Sequence, residues 1–321
     1  MTTQARRAAP VLDFSQMQHG TFGLRITLIL FVWLSLVLAT VFSAGTGAIG
    51  TVWAAILFPV FGFFFGGIGM RGARDKAAKA SGTTLLPADH WVTQETYRLA
   101  DKLGLPAYPW VATMPVNNAY AIGARPDNAM VVVGQPLLEQ LSREEISAII
   151  GHELGHIANN DMRRMAIAEN FQRALTWYLG FSDTLQATGR WALNWMAELW
   201  VLGLSRKREY WADAVGAALT NTGAMKSALV KIHQAPSELT AYESRNARLM
   251  FRGKGSAMFS THPTLEQRLA ALDSGDHIRR LPHLKATGAN DLLTAPSPAN
   301  SDRPLPSAAE IAWSKDPRKS A

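Results

Sequence analysis

The sequence predicts a mainly helical α+β protein in which a two-span transmembrane hairpin precedes one large domain carrying a small antiparallel sheet. Three observations predict it: an uncharged apolar run from Ile26 to Met70, three short strand-like pieces between Trp110 and Val133, and helical periodicity through most of the rest up to about Thr287. At 321 residues and 48% apolar content the chain can bury a sizeable core. The resulting plan is a cytosolic N-terminal segment 1–23, a membrane hairpin 24–70, a main domain 71–287 and a disordered tail 288–321.

No side chain between Ile26 and Met70 is ionisable, and a spanning helix takes roughly 20 apolar residues. The run therefore divides into Ile26–Ser43 and Thr51–Met70, separated by the turn-forming stretch Ala44–Gly50. A cleavable signal peptide fits poorly, because the first apolar stretch continues directly into a second. Arg6, Arg7 and Arg25 precede the hairpin, while Arg71, Arg74, Lys76 and Lys79 follow it, and the connecting loop has no Lys or Arg. The positive-inside rule then puts both ends in the cytosol, making the chain a multi-pass membrane protein.

After a charged, small-residue linker from Ala73 to Thr84, Pro87 opens a helix to about Leu103, with Val92, Leu99 and Leu103 on one face and Gly104 and Pro106 ending it. Trp110–Met114, Asn118–Ile122 and Ala129–Val133, punctuated by Pro115, Gly123 and Pro126, form the sheet. Ser142-Arg-Glu-Glu145 is a capping box, and Ile146, Ile149, Ile150 and Ile157 behind it make a half-buried helix. Ala174–Phe181 and Trp191–Leu204 are short for spans, and the 174–204 stretch reads as an amphipathic helical pair resting on the domain or at the lipid surface. Another helix covers Arg206–Thr220, and the Pro-, Ser- and Asn-rich tail follows Thr287.

The absence of cysteine excludes disulfides, thiolate metal sites and a cysteine nucleophile, so any metal must be held by His and carboxylate. A net charge of +7 with only 18% charged residues and no basic stripe interleaved with aromatics argues against nucleic acid and for an anionic membrane surface.

His152-Glu153-Leu154-Gly155-His156 sets two imidazoles one turn apart on one helix face, where both reach one zinc ion, while Glu153 is offset to act on a water. Gly151 and Gly155, four apart within a helix, suggest a close approach by other backbone or by the site itself. A third ligand must come from elsewhere. Glu209 and Asp213 stand four apart on the next helix among Ala212, Ala214, Gly216 and Ala217, so one carboxylate can bind the metal and the other can hold a ligand histidine.

The ordered set of the N-terminal hairpin, Asn118-Ala-Tyr-Ala-Ile-Gly123, H-E-L-G-H, Ser205-Arg-Lys-Arg-Glu-Tyr-Trp-Ala-Asp213 and Thr261-His262-Pro263 with Arg268 resembles the HtpX family of bacterial membrane metallopeptidases, relatives of the CaaX prenyl endopeptidases. The resemblance covers about residues 20–275. It implies a gluzincin fold, one Zn2+ per chain held by His152, His156 and Glu209, and Asp213 behind the ligands. It further implies catalysis by Glu153 with His262 donating to the oxyanion, and a substrate strand at Asn118, Ala119 and Tyr120. Tyr120, Tyr210 and Arg268 are weaker candidates for the oxyanion role. The implied partners are unfolded or membrane proteins and the lipid bilayer, in membrane protein quality control. The family usually has two clear spans where 174–204 is only moderately apolar. Rival readings are a zinc-stabilised scaffold or chaperone, against which Glu153 argues, and a CaaX-type processing protease. An intramembrane protease fits poorly, because Arg143, Glu144, Glu145, Asp161, Arg163 and Arg164 flank the motif.

Overall fold

The computed structural model describes residues 10–17, 83–123, 125–162, 207–234 and 263–283. The apolar run from Ile26 to Met70, the 174–204 pair, His262 and the tail lie outside them. No helix among the described residues is long and apolar enough to cross a membrane.

In chain order the elements are α1 (Phe14–Met17), β1 (Thr84–Leu85), α2 (Trp91–Leu103), β2 (Trp110–Met114), β3 (Ala119–Gly123), β4 (Ala129–Gly134), α3 (Gln135–Gln140), α4 (Arg143–Ala158), α5 (207–219), α6 (Thr222–Gln234), α7 (Leu265–Ser274) and α8 (Asp276–Arg279). Helix α2 starts later than Pro87, because Pro87 accepts from the His90 N–H in a turn and His90 Nδ1 then caps the Val92 N–H.

The sheet has the order β1-β2-β4-β3 and is mixed rather than antiparallel. β1 pairs antiparallel with β2 and β3 antiparallel with β4, but β2 and β4 run parallel, with Val111 opposite Val131. Consecutive strands usually pair, so the sequence alone favours β2 beside β3. Here the connection from β2 to β3 instead passes over the end of β4 and leaves the central place open for that strand. Gly134 permits this crossing: a Cβ there would lie 1.9 Å from the Val116 carbonyl oxygen and 2.8 Å from that of Asn118. The Gly134 N–H donates to the same Asn118 carbonyl at 2.8 Å, pinning the crossover to the strand it passes.

Side chains alternate across the sheet as strand geometry requires. Val111, Ala119, Ala121, Ala129, Val131 and Val133 join the main core, while Ala112, Met114, Tyr120, Met130 and Val132 form a second buried cluster with Leu85. Helix α4 packs on the first face and contacts α2, α6, β3 and β4. It is enclosed nearly all round rather than half-buried, with Ile146, Ile149, Ile150, Leu154 and Ile157 fully inaccessible. Its capping box forms, the Ser142 N–H donating to Glu145 and the Glu145 N–H to the Ser142 hydroxyl. The same carboxylate accepts from Ser227 at 2.6 Å and from Lys231 at 2.9 Å, so the cap also fastens α6 to the start of α4.

Residues 10–17, assigned on sequence to a segment apart from the domain, pack into it. Leu12 is wholly buried and Met17 nearly so. The Val11 and Leu12 N–H groups donate to the Lys102 carbonyl at the end of α2, and the Asp13 N–H donates to the Pro282 carbonyl. Leu12 also forms an antiparallel bridge with His283.

Candidate metal centre

Helices α4 and α5 approach at backbone distance because neither carries bulk where they meet. A Cβ at Gly151 would stand 3.0 Å from the Gly216 Cα, one at Gly216 would stand 2.7 Å from the Ala148 carbonyl, and one at Gly155 would stand 3.2 Å from the Ala212 Cα. The close approach suggested by the Gly151 and Gly155 spacing is therefore with α5, and it carries Glu209 and Asp213 to the two histidines.

His152, His156 and Glu209 bring one ligand atom each within 4.8 Å of one another. The His152 and His156 Nε2 atoms are 3.1 Å apart, and they lie 3.8 and 3.6 Å from the Glu209 carboxylate oxygens. A tetrahedral zinc with bonds of 2.0–2.1 Å needs donor separations of about 3.3 Å, so adjustments of about half an ångström or less would seat one. The donor chemistry agrees, two imidazole nitrogens and one carboxylate being the ligand set of a hydrolytic zinc site.

Both imidazoles present Nε2 because each Nδ1 is engaged. His152 Nδ1 lies 2.9 Å from the Asp213 carboxylate, and His156 Nδ1 lies 2.9 Å from that of Asp161. Each carboxylate thus fixes a tautomer with Nδ1 protonated and the lone pair on Nε2. Asp213 in turn accepts from Arg268 Nε at 2.8 Å and from its Nη2 at 2.5 Å, and Arg268, on α7, is wholly buried. Asp161 accepts from Asn159 Nδ2 at 3.0 Å and lies 3.9 Å from Arg208. The turn that returns Asp161 to His156 runs through Asn160, whose φ of 57° is left-handed, a conformation Asn tolerates better than most residues.

Burial pushes His152 down to about 4, with the neighbouring His156 charge adding to the effect and Asp213 only partly offsetting it. Burial also opposes charge on His156, but Asp161, Glu209 and Glu153 outweigh it and raise this group to about 9. Burial likewise opposes the Asp213 charge, and Arg268 and His152 overcome it, holding the carboxyl below its usual range.

Glu153 is 2% exposed, and burial, reinforced by the Glu209 charge, raises it to about 7. The Ala121 backbone N–H of β3 works against this rise, and β3 packs on α4, so this strand borders Glu153. A carboxyl with a pKa near neutrality beside a cluster of ligand atoms is poised to take and return a proton at working pH.

The structure thus brings together His152, Glu153, His156, Glu209, Asp213 and Arg268. Arg268, a candidate oxyanion donor on sequence, directs two of its nitrogens at Asp213. Tyr120 belongs to the cluster on the other face of the sheet, Tyr210 stacks near His277, and Asn118 accepts from the Ala119 N–H at the start of β3. Asp161 appeared in the sequence only as a flanking charge. The available signal was an acidic residue five positions past His156, just beyond the helix end.

The profile of peptidase family M48 matches residues 87–275. Protease HtpX of Acinetobacter baumannii (strain AYE) is 30% identical over 271 residues, covering 72% of this chain and 89% of that protein. Protease HtpX of Alkalilimnicola ehrlichii is 32% identical over 220 residues, covering 60% of this chain and 72% of that protein. The crystal structure of S. mikatae Ste24p aligns with a TM-score of 0.49 and 22% identity, spanning 76% of this chain and 61% of that one. The family match extends over more than half of the sequence, and the Acinetobacter relative spans most of both chains, so this chain belongs to peptidase family M48 as an HtpX-like metalloprotease.

Proposed function

We propose that the chain is a membrane-anchored zinc endopeptidase that hydrolyses unfolded or membrane-protein segments on the cytosolic face of the inner membrane, in membrane protein quality control. One observation carries the reading: three convergent donors, each histidine aimed by its own carboxylate, beside a buried glutamate that binds none of the Nδ1 positions. Bound by His152, His156 and Glu209, zinc would supply Lewis acidity toward a scissile carbonyl and toward a water molecule. Glu153 then takes the proton from that water as it attacks and delivers it to the leaving amine. A pKa near neutrality suits both transfers. His262 is assigned the hydrogen bond to the developing oxyanion. In its support, Pro263 and Thr264 lead directly from it into α7, the helix that brings Arg268 to the site.

Strand β3 is assigned to the substrate. It lies at the end of the sheet order, pairs with β4, and packs against α4, the helix that carries Glu153. An extended peptide adding to its outer edge at Asn118, Ala119 and Tyr120 would run past the base. The membrane assignment rests on the Ile26–Met70 run and its basic flanks. The test is digestion of an unfolded reporter by detergent-solubilised protein, with and without a chelator. Cleavage abolished by chelator and restored by zinc is the expected outcome, and cleavage indifferent to chelator would contradict the reading.

A further inference from the structure

The docking of residues 10–17 bears on which substrates the site can reach. They precede the apolar run in sequence, yet they are fixed to a domain that follows it. Leu12 is buried in the same core as Leu99, Leu103, Leu272 and Leu281. Three backbone hydrogen bonds hold the segment, Val11 and Leu12 to Lys102 and Asp13 to Pro282, the last of them part of the antiparallel Leu12–His283 bridge. Asp13 also orders the segment internally, accepting from the Ser15 N–H and hydroxyl and from Gln16. The burial of Leu12 and the bonds to Lys102 and Pro282 tie the segment to two parts of the domain far apart in sequence.

Pro10–Met17 and the part of the domain from Thr83 onward thus lie on opposite sides of the apolar run in sequence and against one another in the fold. If the run between them enters a bilayer, it must return to the side from which it left. Residues 18–25 separate Met17 from Ile26 and reach no more than about 29 Å when fully extended, while residues 71–82 reach about 43 Å. Two short links at separate points hold a body both near a surface and in a limited range of orientations. A single link of the second length would restrain neither as well.

We propose that Pro10–Met17 is a strap that sets the height and tilt of the catalytic domain over the bilayer and so selects membrane-tethered substrates whose cleavable segment lies near the surface. The proposal rests on reading Ile26–Met70 as membrane-spanning and the domain as a protease, and its test separates these from the strap itself. Full-length protein is reconstituted in vesicles with two reporters: a soluble unfolded protein, and a single-span protein whose cleavable segment stands at graded distances from the membrane. Two variants are compared with the unaltered chain. Leu12→Asp releases the strap, because an ionised side chain cannot occupy that buried site. A Gly/Ser insertion of about 20 residues after Gly20 leaves the strap docked but lengthens its link from 8 residues to about 28. Residues 71–82 still tether the domain, so the insertion loosens its height and tilt without freeing it, and near-surface segments lose their preference over more distant ones.

The expected result is that both variants cut the soluble reporter at the rate of the unaltered chain, while the preferred distance on the tethered reporter moves outward. The same preferred distance in all three proteins would overturn the strap. Loss of soluble-reporter cleavage in Leu12→Asp alone identifies a folding defect, and the insertion variant then decides. No cleavage of either reporter by the unaltered chain would instead strike the protease reading.

Discussion

Asp161 and Asp213 perform the same task from different parts of the chain, each accepting from the Nδ1 of one histidine so that Nε2 faces the other ligands. Losing such a carboxylate typically weakens a metal site by about 10- to 100-fold, because the imidazole regains its second tautomer and its freedom to turn. Asp161→Ala is expected to raise the zinc dissociation constant by that factor in a competition titration, with Asp161→Asn weaker in effect because the amide oxygen still accepts. Unchanged affinity in Asp161→Ala would remove the aspartate from the site. His152, Glu153 and His156 were legible because helical periodicity alone places them, and Glu209 with Asp213 shared that advantage. Asp161 was not, since it reaches His156 through the left-handed turn at Asn160, which has no period to read. Arg268 was named for a different role, because nothing in a sequence relates it to an aspartate 55 positions away.

At the scale of elements, the site depends on the contact between α4 and α5. Gly216→Ala should improve helix propensity by about 1 kcal/mol, yet its Cβ would meet the Ala148 carbonyl at 2.7 Å and the Met225 sulfur at 2.9 Å. The backbone carbonyl cannot move aside as a side chain can, so the clash should win, with a net loss of about 1–3 kcal/mol measured by urea unfolding in detergent. The α4–α6 fastening makes a pH-dependent prediction. Burial works against the Glu145 charge, but Lys231, Ser227 and the Ser142 N–H outweigh it and hold the carboxyl below its ordinary value of 4.5. A group depressed on folding stabilises above its unfolded value and loses that contribution as pH falls through the folded one. The stability difference between the unaltered chain and Glu145→Gln should therefore be largest near neutrality and shrink below about pH 4.5, and a difference that grows in acid would contradict the assignment. Helix α4 was readable from its capping box, whereas the parallel pairing of β2 with β4 was not. That pairing turns on the missing side chain of Gly134, and a glycine after a strand reads equally well as a plain turn.

For the whole molecule, the apolar run and its basic flanks were visible in composition, while the return of residues 10–17 to the domain was not, since an eight-residue segment with one buried leucine has no distinctive pattern. The chain has no cysteine, so single cysteines report topology without background. Thr46→Cys should label with an impermeant maleimide in intact cells, whereas Ser81→Cys and Ser307→Cys should label only after lysis. Labelling of Ser81→Cys from outside would reverse the orientation. Metal binding and proton transfer fall to different residues, and the measurement that addresses this most directly is zinc content against turnover in Glu153→Gln. The variant should retain about one zinc per chain, because Glu153 is not among the three donors. Its cleavage of an unfolded reporter should fall by about a thousandfold or more, as when a general base is removed. Near-normal cleavage by a zinc-loaded Glu153→Gln protein would contradict that division of roles.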